Sequence, residues 1–238
     1  MKNDNVWKVC ATEGYEYLYA IHKFLLSEYE NLFGEEIMFA EECIIFNDSQ
    51  SECPMLITNT TPILIRLSQS SLSYWAQTIF QLSHELCHYA MRQRKLNKNF
   101  TLSWFEEIVC EAMSLYFLKW SFENWCVCEL SEKQPLFNKA IENYLKDELE
   151  KEGTDDFQNC VNYERLREYE QERSTIRETH RNERNLLYYE IIKNPKLCKC
   201  FCDYPKYLMN NLTINFEKWL SEDENHIVKC LSSIQPYK

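Results

Sequence analysis

Two histidines one helical turn apart, with an acid beside the first, constrain this chain more than any other feature. They stand in His84-Glu85-Leu86-Cys87-His88, and after a spacer of eighteen residues comes Glu107. On a helix, positions i and i+4 share a face, so both imidazoles project together. Glu85 points to the side of that pair, where a carboxylate can hold a water at a metal without binding the metal itself. Two imidazoles, one free carboxylate and a third acidic ligand outline a hydrolytic zinc site.

Five histidines and abundant glutamate make such a pentapeptide easy to reach by chance, so its surroundings must support it. Around it, Trp75, Ile79, Leu82, Leu86 and Ala90 recur at three- and four-residue steps. This predicts an amphipathic helix over 71–95, with Ser71 or Ser73 as its cap. A second helix is predicted over 103–120. There Ser103-x-x-Glu106 reads as a capping box, which gives Glu106 a structural task and leaves Glu107 as the better ligand. Glu111 lies one turn further on, placed to accept a hydrogen bond from the far nitrogen of a ligating histidine.

This arrangement resembles the gluzincin metallopeptidases, in which HExxH, a spacer of similar length and a glutamate follow one another. The likeness covers residues 55 to 120 and is specific in the zinc residues alone. It implies His84, His88 and Glu107 as zinc ligands, Glu85 as the catalytic carboxylate and peptide or protein as substrate. The family's transition-state tyrosine or histidine maps to no single position; His180, His226, Tyr163, Tyr188 and Tyr189 are candidates. The likeness also implies a substrate-binding edge strand before the motif helix. The apolar runs 54–58 and 62–68, joined by Asn59-Thr60-Thr61, read as a hairpin in that place, with a plain core strand as the competing reading.

Competing chemistries fare less well. Three glycines leave no phosphate loop or dinucleotide fingerprint, and no nucleophile elbow occurs. A net charge of −11 disfavours nucleic acid as partner. The basic segment 92–98 reads as a solvated connection, or as a rim that favours acidic peptides. A deformylase-like zinc hydrolase would use Cys43 as third ligand, but lacks its flanking glycines here. A non-catalytic zincin-like scaffold or interaction module is the remaining alternative. Cys198-Lys-Cys-Phe-Cys202 is spaced more tightly than ordinary zinc knuckles. Cys126 and Cys128 join it only if the fold brings them close.

The expected fold is α+β and mainly helical: a zincin-like core with a small antiparallel or mixed sheet and two metal-binding helices, then a helical C-terminal region. The core is expected over 1–130 and the helical subdomain over 131–238. An opening helix over 11–33 carries Leu18, Ile21, Leu25 and Tyr29 on one stripe, and strands follow at 37–39 and 43–46. The charge-rich stretch 133–190 reads as helices with solvated faces. His22 reads as a satisfied core or boundary histidine, and His180 and His226 as surface residues. No secretion signal or eighteen-residue apolar span is visible, and twelve cysteines read as reduced thiols. These features predict a cytoplasmic protein with no membrane partner; the oligomeric state is left open.

Overall fold

The computed structural model describes residues 6–10, 13–98 and 100–236. Helices dominate, with one small open sheet. In chain order the elements are β1 (Trp7–Cys10), α1 (Tyr15–Phe33), α2 (Glu35–Met38), β2 (Cys43–Asn47), β3 (Met55–Ile57), β4 (Ile63–Leu67), α3 (Trp75–Arg92), α4 (Ser103–Asn124), α5 (Asn138–Glu150), α6 (Tyr163–Glu172), α7 (Arg181–Ile191), α8 (Phe216–Glu222) and α9 (His226–Ile234). Two compact units arise, one from Met1–Ala90 with Ser114–Glu148, the other from Met91–Met113 with Leu149–Lys238. No helix among the described residues is long and apolar enough to cross a membrane.

The first unit is built around a sheet of order β1-β2-β4-β3, parallel except for the last strand. Parallel neighbours need a crossover, and α1 supplies it between β1 and β2. Cys43 and Ile45 lie in register with Ile63 and Ile65, and all four are buried, while Ile44, Phe46, Leu64 and Arg66 on the opposite face are half-buried. The hairpin read at 54–68 is present as β3 and β4. Its second strand, however, is paired on both sides, so only β3 offers a free edge there; the runs differ because β4 bridges to β2.

Helix α1 begins after Gly14, whose φ of 72° is the left-handed conformation that glycine reaches without strain. Leu18, Ile21, Leu25 and Tyr29 form a stripe with no solvent exposure, as the periodicity predicts. Its buried hydroxyls and rings also brace the motif region. Tyr29 donates to the carbonyl of Ser83 at 2.5 Å and stacks on Phe117, while Glu28 accepts from Tyr116. The strand expected at 37–39 is instead the short helix α2. It follows Gly34 at φ 93°, opens with Glu35 and Glu36, and buries Ile37 and Met38. Strand β1 gave no sequence signal, since four residues of parallel edge owe their shape to tertiary hydrogen bonds.

His22, expected to be a satisfied core residue, is buried against Trp7 with neither ring nitrogen hydrogen-bonded. Burial lowers its pKa from 6.5 to about 4. The unfolded chain therefore binds an extra proton between these two values, and stability falls as the pH drops from 6.5 toward 4. We expect His22→Leu to reduce the difference in unfolding free energy between pH 7.5 and 4.5 by on the order of 2–3 kcal/mol. Urea denaturation of both proteins at the two pH values measures this; an unchanged difference contradicts the assignment.

Candidate metal centre

Helix α3 carries His84-Glu85-Leu86-Cys87-His88 in its second half. Apolar burial of Ile79, Phe80, Leu82, Leu86 and Ala90 sets the helix rotation. Neutral hydrogen bonds refine its placement. Gln81 accepts from the Ser68 backbone at 3.0 Å, and the Tyr89 hydroxyl donates to the Glu41 carbonyl and accepts from the Glu41 N–H. The expected caps Ser71 and Ser73 bond to each other in the preceding turn, and regular helix starts only at Trp75.

The two motif rings meet edge to face, with Nε2 of His84 and Nε2 of His88 3.1 Å apart. That separation suits either an N–H···N bond between neutral rings or two lone pairs aimed at one cation. Ligand nitrogens about 2.0–2.1 Å from a tetrahedral zinc stand roughly 3.3 Å from each other, close to what is seen. A third donor lies near the pair. One ligand atom each from His84, His88 and Glu107 lies within 4.8 Å of the other two. His84 is buried, and His88 and Glu107 are half-buried. Two imidazoles and one carboxylate form a donor set suited to a divalent ion of zinc's type, with room left for a further ligand. Glu85 is buried beside them on α3.

Among the described residues this is the one group of three side chains able to hold a metal. Cys43, the alternative third ligand, is buried on β2, and burial pushes its thiol well above the usual range, which disfavours the thiolate a metal needs. Cys198, Cys200 and Cys202 are buried in the 3₁₀ segment Pro195–Tyr207 and form no metal-holding group.

Three sets of contacts within the second unit hold the N-terminal half of α4, and sequence reading missed all three. Glu170 of α6 accepts from the backbone N–H groups of Ser103 and Trp104 at 2.7 and 2.8 Å, so a remote carboxylate caps the helix. Burial raises the Glu170 pKa, against the lowering effect of these hydrogen bonds. Glu106, expected in a capping box with Ser103, is instead buried, and one of its oxygens meets both Lys95 Nζ and the Tyr204 hydroxyl at 2.5 Å. Glu111 is fully buried, with Arg184 Nη1 at 2.9 Å, Arg177 Nε at 3.0 Å and His180 Nε2 at 3.9 Å. Guanidinium groups thus meet the carboxylate that was expected to receive a histidine N–H.

These contacts correct two further expectations. Lys95 and Arg92 are buried and the exposed Arg94 pairs with Asp203, so segment 92–98 is solvated only in part, at Arg94, Leu96 and Asn97, and its basic groups form no open rim. His180 is fully buried and hydrogen-bonds Tyr169 through Nδ1, whereas His226 is half-buried with Nε2 at the Glu190 carbonyl. The only sequence trace of the Arg177, His180 and Arg184 cluster is its helical spacing of three and four residues within a charge-rich run.

No known protein family, characterised protein or solved structure matches the chain. The candidate metal centre therefore rests on the geometry of its own residues.

Removing one member of a buried ion pair strands the other. Lys95→Met is expected to cost about 3–5 kcal/mol of stability. The neutral pair Lys95→Met with Glu106→Gln should recover more than half of that loss. Chemical denaturation of the three proteins checks this, and a double variant as unstable as the single one would show that pairing is not what Lys95 provides.

Proposed function

We propose that the chain is a zinc-dependent peptidase of the gluzincin type, with His84, His88 and Glu107 as the metal ligands and Glu85 as general base and acid. The observation that carries this reading is the convergence of one donor atom from each of those three residues, in a chain whose motif places an acid directly after the first ligand.

Zinc held by this donor set supplies a Lewis acid for the scissile carbonyl and brings a water's pKa down toward neutrality. Glu85 would be the group that accepts a proton from the nucleophilic water and returns it to the departing amide nitrogen. Its burial on the rigid helix α3 keeps the carboxylate oriented and limits competing solvent. The edge role suggested by the family likeness would fall to β3, which pairs with no strand but β4 among the described residues, so an extended peptide could add there by backbone pairing. A non-catalytic scaffold with the same residues would bind zinc and cleave nothing.

Three substitutions separate the roles. Glu85→Gln should keep one zinc per chain and the parent's thermal stability while peptide cleavage drops at least about 10²-fold, the usual scale for a lost acid–base group. His88→Ala should lose the zinc, and Glu107→Ala should weaken it. Metal analysis with a peptide-library cleavage assay reads all of these. Full turnover by Glu85→Gln would remove that residue from the chemistry, and a zinc-loaded parent that cleaves no peptide would favour the scaffold reading.

A further inference from the structure

Glu111 presents an energetic puzzle. Its carboxylate is fully buried on α4, and so is the Arg184 side chain that pairs with it. An apolar pair of the same volume would hold two helices together as well or better, because both charges must first be stripped of water. What a charge clamp adds is direction: Arg184 donates a hydrogen bond to Oε2, and the Arg177 guanidinium lies 3.0 Å from Oε1 as an ion pair without hydrogen-bond alignment, so the two oxygens face different cations. Arg177 comes from the 3₁₀ turn Arg177–His180 and Arg184 from α7, so the grip reaches Glu111 from two segments. Glu107 lies one turn earlier on the same helix, about 6 Å along the axis. A helix is stiff over that distance, so a clamp on Glu111 also sets the height and rotation of Glu107.

We infer that Arg184 and Arg177, acting through Glu111, are positioning residues for Glu107 as third metal ligand. Neither arginine touches the metal or the substrate in this scheme. The inference rests on the metal-centre reading above and assigns the clamp its purpose: delivering an acidic oxygen to the point at which the two histidine nitrogens already converge. The other contacts on this half of α4, Glu170 at its first N–H groups and Lys95 on Glu106, restrain its start, whereas Glu111 restrains it beyond the ligand.

The test is a double-mutant cycle on the full chain, read by zinc affinity from chelator competition and by the visible spectrum of the cobalt-loaded protein. Arg184→Met should weaken zinc roughly 10–100-fold, the scale of lost outer partners of metal ligands, and should shift the cobalt bands. Arg184→Lys, which keeps the charge and loses the fork, should fall between parent and Arg184→Met. In a Glu107→Ala background, where the third ligand is already gone, Arg184→Met should cost less than about twofold more. An equal loss in both backgrounds would make the arginine merely structural and overturn the inference. So would an Arg184→Met protein with parental affinity and spectrum. If Arg184→Met does not fold, the partly exposed Arg177 carries the same cycle as Arg177→Met, with roughly 3–10-fold expected in the Glu107 background and little without it. A parent that takes up no zinc overturns the metal-centre reading itself, whereas a zinc-binding parent with indifferent arginine variants overturns this inference alone.

Discussion

Buried charge pairs on the N-terminal half of α4 are the interactions on which the placement of that helix depends most. Glu106 with Lys95, and Glu111 with Arg184, are acid–base pairs buried away from water, and Arg177 reaches Glu111 from a partly exposed position. Such pairs add little net stability, because desolvation consumes most of the attraction. Their contribution is to make one helix position much better than its neighbours. An apolar helix such as α4, with Trp104, Phe105, Ile108, Val109 and Met113 all buried, could slide or rotate slightly within an oily core at modest cost. A carboxylate that must meet two guanidinium groups cannot.

Helix α3 is placed by other means. Its amphipathic pattern chooses the buried face, and neutral bonds at Ser83, Gln81 and Tyr89 fix it against α1, β4 and the segment before β2. The histidine pair needs little more than this, because the helix itself sets the spacing of residues four apart. The third donor comes from a different helix, so its arrival depends on tertiary contacts accurate to a fraction of an ångström. Placing the charged clamps on the helix that carries Glu107 follows from that difference in demand.

Local patterns were the most legible part of this chain. The α1 stripe, the β3–β4 hairpin and the two helices about the motif appear close to where periodicity puts them, because each depends on residues within a turn or a strand of one another. Legibility failed where a partner far along the chain decides the outcome. Ile37 to Phe39 has strand-forming composition, but Gly34 and local burial turn most of it into α2. Ser103 and Glu106 have capping-box spacing, yet Glu170 takes the cap and Lys95 takes the acid. The charged run after residue 160 reads in sequence as helices with solvated faces. Arg165 and Glu168 do form an exposed pair, while Glu170, His180, Glu183 and Arg184 turn inward.

By itself the sequence determined the helix, the i,i+4 histidine pair on one of its faces, the acid beside them and the presence of Glu107 on the next helix as a candidate third donor. All of these follow from helical periodicity and ligand chemistry, which act over a few residues. Only the tertiary structure decided that one ligand atom each of Glu107, His84 and His88 lies within 4.8 Å of the others, that Glu111 is gripped by arginines more than sixty positions away, and that β3 is the edge strand of the hairpin. The physical reason is range: a side chain's charge and shape are written at its own position, but the partner that neutralises a buried charge is chosen by how the whole chain packs.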